Sequence, residues 1–246
     1  MCVTGNDNSI MCGILCVLGE DGARARTSPQ ARAALIQRSA RLRHRGPDGT
    51  GVAVVADCFM AHERLNIVDP SDAGAQPQKI ELEGGGVISW MCNGEIYNHE
   101  QLRRDELKDI TFNSGSDCAV IGPLYMRYGV DCIRMLDGVF ALVIFDSRTG
   151  SLVVARDAMG ISPVYHGRSP NGSLYFASEL KAICDACVNF QALEPGHYFA
   201  YGRAFAAEGT HRWYRCADDI RSSIHTHIYT HIYVHHTHIC DCRMNV

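Results

Sequence analysis

The chain of 246 residues has no long apolar run, no excess of basic charge and no apolar leader. None of its apolar stretches approaches the roughly 20 residues that span a bilayer, which argues against a membrane protein. The formal net charge is -4, and no basic face suggests a nucleic-acid partner. The N-terminus lacks the basic start and apolar stretch of a secretory signal. We therefore expect a cytoplasmic protein without nucleic-acid or membrane partners.

Cysteine is abundant, with twelve copies. Most of them lie in apolar, strand-like runs, as Cys58 and Cys92 do, where free thiols act as small hydrophobic groups. Without secretion, a disulfide framework is not expected. Cys184 and Cys187 form a CxxC pair, but no second pair lies at zinc-finger spacing. We interpret this pair as structural, with metal binding or redox chemistry as the alternatives.

The chain divides into four stretches of different character. Residues 12–203 form one predicted domain, and a short polar extension at 1–11 precedes it. Residues 204–222 are interpreted as the end of the domain or a linker. Residues 223–246 are a low-complexity tail rich in His, Ile, Thr and Tyr, which we expect to be disordered.

From Ile224 to His235 the residues of the tail alternate between two sets, one of Ile, Thr and Val and the other of His and Tyr. A simple repeat of alternating purine and pyrimidine bases would encode this pattern. We therefore interpret the tail as a translated non-coding repeat. Metal binding by a His-rich tract and an exposed strand are the alternatives.

Short strand signals dominate the predicted domain, and helical patterns interrupt them at about 28–43, 98–108 and 117–136. Turn residues between 146 and 151 predict a hairpin. This order favours an α+β fold with antiparallel sheets over alternating βαβ units. The predicted strands are 52–60, 87–92, 139–146, 151–156, 174–177 and 197–201.

Cys12 stands directly after Met11, so that removal of the preceding residues would make it N-terminal. An ordinary thiol is mostly protonated at neutral pH and needs a base. A free α-amino group, with a pKa of about 7.7–8.0, supplies that base on the same residue. With residues 1–11 attached, the α-nitrogen is an amide and the site should be inactive. We expect that translation starts at Met11, that the extension is cleaved, or that it is an annotation error.

Three further motifs offer polar groups beside predicted strands and helices. Arg64 ends a strand, where a guanidinium binds a carboxylate bidentately or is simply solvated. Asn93 and Gly94 are typical of a tight turn, and they also offer an amide and an N–H group for an oxyanion hole. Asp117 favours a helix N-terminus or accepts a hydrogen bond from a substrate ammonium group.

Eight ordered motifs resemble those of glutamine-hydrolysing asparagine synthetases, over residues 11–203. NGEIYN together with HRGPDG and HERL is typical of this family rather than of its purine or aminosugar relatives. The resemblance implies a class II glutamine amidotransferase domain with an N-terminal-nucleophile hydrolase fold, a four-layer αββα sandwich of two antiparallel sheets. The motifs are MCGI at 11–14, LRHRGPDGTG at 42–51, AHERLNIVD at 61–69, NGEIYNH at 93–99, GSDC at 115–118, LDGVFALVIFD at 136–146, ARDAMGISPVY at 155–165 and SELKAI at 178–183.

The resemblance also implies roles for individual residues. Cys12 would attack the γ-amide of L-glutamine, ammonia would leave, and water would release glutamate from a γ-glutamyl thioester. The side chain of Asn93 and the N–H of Gly94 would form the oxyanion hole. The implied glutamine ligands are Arg64 for the α-carboxylate, the backbone of Leu65, Asn66, Ile67 and Val68, the oxyanion pair Asn93 and Gly94, and Glu95 and Asp117 near the α-ammonium group.

The resemblance implies no metal and no cofactor for this glutaminase half. In the family, a synthetase half binds ATP and Mg²⁺, activates aspartate and captures the ammonia, and its Ser-Gly-Gly-rich pyrophosphate loop is not found in this sequence. We therefore expect a truncated asparagine synthetase, with a synthetase domain or partner chain as the ammonia acceptor and a homodimer as one assembly. The alternative is a non-catalytic glutamine-binding or regulatory fragment.

Overall fold

The computed structural model describes residues 12–66 and 69–214. The predicted extension at 1–11, the predicted tail at 223–246 and the site residues Ile67 and Val68 lie outside the described residues. Among these described residues, none of the helices combines the length and the hydrophobicity that a membrane span requires. The described residues up to Trp213 form one compact unit.

Strands dominate the described residues, and all of their pairings are antiparallel. The strands are β1 (Gly13–Leu18), β2 (Gly49–Val55), β3 (Cys58–Arg64), β4 (Gln78–Glu81), β5 (Val87–Ile96), β6 (Gly138–Asp146), β7 (Ser151–Arg156), β8 (Tyr165–Arg168), β9 (Leu174–Ala177), β10 (Asn189–Ala192), β11 (His197–Tyr201) and β12 (Gly209–Arg212). The α-helices are α1 (Glu20–Thr27), α2 (Pro29–Ala40), α3 (His99–Asp105) and α4 (Ile121–Tyr128). Short 3₁₀ turns are Asp72–Gly74, Asp117–Val120, Gly129–Met135 and Leu180–Ala182.

The strands form two six-stranded sheets that pack face to face. The first has the order β10-β8-β9-β1-β3-β2, and the second has the order β12-β11-β7-β6-β5-β4. β1 contributes side chains to both faces of the first sheet, because successive residues of a strand point to opposite faces. Ile14 and Cys16 join the core between the sheets, whereas Leu15 and Val17 pack with residues of α1 and α2 such as Leu35.

Helices cover both outer faces of the sandwich. α1 and α2 lie on the first sheet, and α4 lies on β4 and β5 of the second. Ser28 is the N-cap of α2, since its Oγ accepts a hydrogen bond from the N–H of Ala31 at 3.2 Å. Pro29 occupies the first position of the helix, where its missing N–H is not needed. The predicted α+β fold with four αββα layers and two antiparallel sheets is therefore confirmed.

Two sequence predictions of single elements were wrong. The predicted strand 52–60 is the hairpin of β2 and β3, whose turn contains Ala56 with a φ of 52°. Alanine is uncommon in that conformation, so the sequence carries no turn signal there. The predicted helix 117–136 is broken, because Gly129 with a φ of 59° ends α4.

Several elements were missing from the predictions. β1, α1, β4, β8, β10 and β12 were not predicted, and four of these strands have only four residues each. β12 pairs with β11, so the sheet continues beyond residue 203, where the predicted domain ended. Trp213 follows β12 and stacks on Phe140 at a ring distance of 6.0 Å.

Candidate active site

Cys12 lies directly before β1, at the end of the first sheet. Its Sγ accepts a hydrogen bond from the N–H of Leu65 at 3.3 Å, and its carbonyl oxygen accepts one from Nε of Arg45 at 3.0 Å. The next residue is Gly13, where a Cβ would lie 2.7 Å from Cβ of Leu42. A glycine therefore lets the chain bring Cys12 close to the segment that follows α2.

The thiol opens into a cavity of about 230 Å³. Its walls come from the ends of β3 and β5 and from the segments around Asp69 and Asp117. Predicted site residues in the walls are Cys12, Arg64, Leu65, Gly94, Glu95 and Asp117. The cavity is also lined by His62, Gln76, Cys92 and Cys118, for which no catalytic or ligand-binding role was predicted.

Arg64 is the last residue of β3, and its guanidinium lies against the cavity. Nη2 donates to the carbonyl oxygens of Asp69 and Ser71, the latter at 3.0 Å. These bonds occupy one of the two terminal nitrogens. The guanidinium is thus held in one orientation and retains donors that can bind a carboxylate.

Asp69 fastens the segment after Arg64 to the 114–116 loop. Its Oδ1 accepts the N–H of Ser71 at 3.0 Å and the hydroxyl of Ser71 at 2.6 Å. Its Oδ2 accepts the hydroxyl of Ser114 at 2.8 Å and the N–H of Gly115 at 3.0 Å. These four donors lower the pKa of Asp69 to about 2, so the carboxylate stays charged at neutral pH.

β5 presents a row of N–H groups on the edge that faces away from β6. The N–H of Cys92 donates to Oε1 of Gln76 at 2.6 Å. The N–H of Ile96 donates to Oδ2 of Asp117 at 2.7 Å. Side-chain oxygens therefore cap the first and the last group of this row.

Gly94 lies between these two capped positions. It is paired with Phe140, whose own N–H and C=O bond to Asp157 at 3.3 Å and 2.8 Å. The Gly94–Phe140 pair is thus a non-hydrogen-bonded pair, and the N–H of Gly94 points to the same open edge as those of Cys92 and Ile96. A Cβ at Gly94 would lie 1.9 Å from the carbonyl oxygen of Val139, so only glycine fits.

Asn93 is fully buried, and it is not among the residues that line the cavity. Within residues 12–66 and 69–214, neither its amide oxygen nor its amide nitrogen has a hydrogen-bond partner. A buried amide without partners is unfavourable by about 1–3 kcal/mol, and such a group calls for an explanation. The structure thus brings Gly94 to the cavity and leaves the Asn93 amide behind its wall.

The remaining predicted glutamine ligands, Asn66, Glu95 and Asp117, differ from one another in burial. Asn66 is exposed, and its N–H donates to Oδ2 of Asp48 at 2.8 Å. Glu95 is exposed at the mouth of the cavity, and Asp117 is buried in the wall. Asp117 lies in a 3₁₀ turn, whereas the sequence had predicted the start of a longer helix there.

The family of glutamine amidotransferase domains matches residues 11–223. The chain belongs to this family. Over 205 residues it is 47% identical to asparagine synthetase [glutamine-hydrolyzing] 3 of Arabidopsis thaliana, and over 204 residues it is 45% identical to asparagine synthetase [glutamine-hydrolyzing] of Zea mays. Both matches cover 83% of this chain and 33% of the relative. The chain therefore spans about a third of the length of these relatives.

Two solved structures show the same fold. One is the allosteric regulatory enzyme of purine biosynthesis, with a TM-score of 0.67 and 21% identity. The other is glutamine phosphoribosylpyrophosphate amidotransferase from B. subtilis, with a TM-score of 0.67 and 22% identity. Each match covers 82% of this chain and 49% of the other. The predicted N-terminal-nucleophile fold is confirmed.

In the described part of the amidotransferase domain, no group next to the Cys12 thiol is suited to act as its base. Burial raises the pKa of Cys12, and the N–H of Leu65 and the charge of Arg64 oppose this effect only in part. Among the described residues, the thiol's hydrogen-bond partners are the backbone N–H and C=O of Leu65. A base from elsewhere is therefore needed to form the thiolate.

His62 lines the same cavity but does not suit the task of a general base. Burial lowers the pKa of His62 to about 4, and its Nε2 is bonded to the carbonyl oxygen of Cys92 at 3.2 Å. A base works best when its pKa lies near the working pH. The α-amine of an N-terminal Cys12, with a pKa of about 7.7–8.0, matches neutral pH far better.

The CxxC pair lies away from this site. Cys184 is exposed, Cys187 is buried, and both are free thiols. The two follow the Leu180–Ala182 turn, where the N–H of Cys187 donates to the carbonyl oxygen of Ile183 at 3.1 Å. The predicted structural role of the pair stays a prediction.

Proposed function

We propose that this amidotransferase domain hydrolyses L-glutamine to glutamate and ammonia, with Cys12 as the nucleophile. The observation that carries this proposal is that one cavity is lined by the Cys12 thiol, the guanidinium of Arg64 and Gly94, whose N–H points to the edge of β5 that faces away from β6. A carboxylate binder, a nucleophile and an oxyanion donor are the groups that amide hydrolysis of an amino acid requires.

The cavity walls suggest the orientation of the substrate. The α-carboxylate of glutamine would bind Arg64, and its α-ammonium group would face Glu95 and Asp117. The γ-amide carbon would then lie beside Cys12. The backbone of Leu65, which touches the thiol, would line the side of the pocket.

The reaction would proceed in three steps. The α-amine of Cys12 takes the thiol proton, and the thiolate attacks the γ-amide carbon. The N–H of Gly94 stabilises the negative charge that develops on the amide oxygen. The Asn93 amide, which lies behind the cavity wall without partners among the described residues, would have to turn toward the cavity to join this oxyanion hole. Ammonia leaves with a proton from the α-ammonium group of Cys12, and a γ-glutamyl thioester remains. Water attacks the thioester carbon while the same amine takes a proton from it, the bond between carbon and Sγ breaks, and glutamate leaves as the proton returns to the thiolate.

The test compares two forms of the chain, one that begins at Cys12 and one that begins at Met1. We expect glutamate release from the first form only, because only there is the α-nitrogen an amine. The matched control is the Cys12→Ser variant of the short form. A chain whose N-terminus is shown by intact mass to be Cys12, and which binds glutamine without releasing glutamate, would favour the alternative of a glutamine-binding module.

We propose that the ammonia serves asparagine synthesis in an ATP- and Mg²⁺-dependent synthetase domain or partner chain. The similarity to relatives named as glutamine-hydrolyzing asparagine synthetases supports this role. Amide-¹⁵N glutamine, aspartate, ATP and Mg²⁺ should yield ¹⁵N-asparagine when such a domain is added. The cytoplasmic location, the homodimer and the independence of this domain from cofactors stay predictions.

A further inference from the structure

We propose that His62 and Gln76 are positioning residues that hold the β5 edge at Cys92–Gly94 in place for oxyanion stabilisation. This inference rests on the proposed glutamine hydrolysis. It names two residues that the family resemblance did not assign, and both of them line the cavity.

The two side chains replace a missing strand. β4 pairs with β5 only as far as Gln78 opposite Trp90, and among the described strands none continues along that edge to Cys92. Cys92 is 1% exposed, so its N–H and C=O cannot reach water. Buried backbone groups need partners, and here side chains provide them.

Each backbone group of Cys92 has one such partner. Oε1 of Gln76 accepts the N–H at 2.6 Å, and Nε2 of His62 donates to the C=O at 3.2 Å. Since a carbonyl oxygen can only accept, the hydrogen of the neutral imidazole is on Nε2. Both side chains are themselves buried, which limits the rotamers that they can adopt.

His62 also connects the two sheets. It lies on β3 of the first sheet, opposite Ile14 of β1 and Gly51 of β2. Its hydrogen bond crosses to Cys92 on β5 of the second sheet. The nucleophile precedes β1 and the oxyanion donor Gly94 is on β5, so this bond helps to fix the distance between them.

Gln76 is held from the other side. A Cβ at Gly51 would lie 1.8 Å from the carbonyl oxygen of Gln76, so the backbone of Gln76 rests directly on β2. The side chain then reaches the edge of β5. Both positioning residues are thus anchored on the first sheet and act on the second.

The expected effect is on the chemical step. A misplacement of about 1 Å can slow a positioned reaction by roughly 100-fold. Loss of either bond should therefore lower kcat by about 10- to 100-fold. The Michaelis constant should stay within about threefold, because the Arg64 side of the pocket is untouched.

The test uses the chain that begins at Cys12, with His62→Leu and Gln76→Met as the disrupting variants. His62→Gln keeps an N–H donor at the Nε2 position, and Gln76→Glu keeps an acceptor oxygen, so both should restore most of kcat. Glutamine affinity, measured in the Cys12→Ala background, should be the same with and without His62→Leu.

The matched control is Ser147→Ala. Its Oγ accepts the N–H of Val87 at 2.8 Å, at the other end of the same strand. This variant should lower the melting temperature without lowering kcat. Glutamate release by the parent chain, combined with kcat within threefold of the parent in both disrupting variants, would overturn the inference. So would an equal loss of kcat in Ser147→Ala. A parent chain that releases no glutamate would instead refute the proposed function itself.

Discussion

The Cys12 thiol lies in surroundings that disfavour its reactive form. Burial raises its pKa, and the described residues offer it only the backbone of Leu65. In the proposed mechanism, the α-amine of the same residue supplies the base that makes the thiol reactive. The side chain of Cys12 would act chemically, whereas Arg64 and the cavity walls would bind the substrate.

Cys12→Ala should therefore separate chemistry from binding. We expect no measurable glutamate release, because neither another nucleophile nor a metal replaces the thiol in the proposed mechanism. Glutamine should still bind with a dissociation constant within about threefold of the parent, since the methyl group leaves the pocket open. Calorimetric titration measures this constant. Loss of binding in this variant would contradict a purely chemical role.

Arg64→Ala should act on binding instead. A hydrogen bond to a charged group is worth roughly 1.5–3 kcal/mol, so the Michaelis constant for glutamine should rise about 10- to 100-fold. Arg64→Lys should recover only part of this, because an ammonium group cannot form the bidentate contact. Steady-state kinetics over a range of glutamine concentrations provides the comparison. An unchanged Michaelis constant would exclude the carboxylate contact.

The sequence predicted the residues proposed to touch the substrate more readily than the residues proposed to position them. Cys12, Arg64 and Gly94 belong to ordered motifs, and their residue types suggest their chemistry directly. His62 and Gln76 became interpretable only in the fold, because their partners are backbone groups of Cys92. A sequence does not show that an edge of β5 lacks a neighbouring strand.

At the scale of whole elements, close contact between α1 and the β2–β3 hairpin limits which residues are allowed. A Cβ at Gly22 would lie 2.2 Å from the carbonyl oxygen of Asp57 and 2.5 Å from that of Val17. Both contacts are with backbone, which cannot move aside as a side chain can. The short helix α1 thus depends on glycine for its position.

Gly22→Ala should destabilise the fold by about 1–3 kcal/mol, in the range of overpacked sites. For a chain of this size, each kcal/mol lowers the melting temperature by roughly 2–4 °C. Gly49→Ala is the control, because a Cβ there meets nothing within 4 Å. Calorimetry should show a lower melting temperature for Gly22→Ala and little change for Gly49→Ala. Equal melting temperatures would mean that α1 can shift outward freely.

Long elements were easier to predict than short ones for a physical reason. β5 and β6 have ten and nine residues, and their apolar or β-branched runs indicate strands on their own. β4 and β10 have four residues each and are strands because a neighbour pairs with them. β1 is buried along its whole length, so it lacks the alternation that predicts a half-buried strand.

At the scale of the whole molecule, the candidate site depends on how the two sheets are held together. Cys12, the proposed nucleophile, directly precedes β1 of the first sheet, and the proposed oxyanion edge lies on β5 of the second. Besides the apolar core, the hydrogen bond from His62 to Cys92 is a polar link between these sheets. His62 also makes the stability of the fold sensitive to pH, because it is fully buried.

Burial lowers the pKa of His62 from 6.5 to about 4. Between these values the unfolded chain takes up a proton that the folded chain does not, so the free energy of unfolding falls as the pH falls. The stabilisation from the neutral imidazole is complete above pH 6.5. By pH 4 the free energy of unfolding should have fallen by about 3 kcal/mol on this account. This figure follows from the difference between the two pKa values, since each pKa unit corresponds to about 1.4 kcal/mol.

His62→Gln should remove this dependence, since an amide does not titrate. Urea unfolding at pH 7.5, 5 and 4 should show a smaller fall in the free energy of unfolding for His62→Gln than for the parent chain, by about 2 kcal/mol at pH 5 and 3 kcal/mol at pH 4. His166, whose pKa burial also lowers, is present in both proteins and cancels in the comparison. Asp69 and Glu179, whose pKa values are lowered from 3.8 and 4.5 to about 2, start to lose their contributions as the pH falls below about 4.5, but both are present in both proteins and cancel as well. Parallel curves for the two proteins between pH 7.5 and 4 would show that the pKa of His62 is the same in the folded and the unfolded chain, and burial would then not lower it.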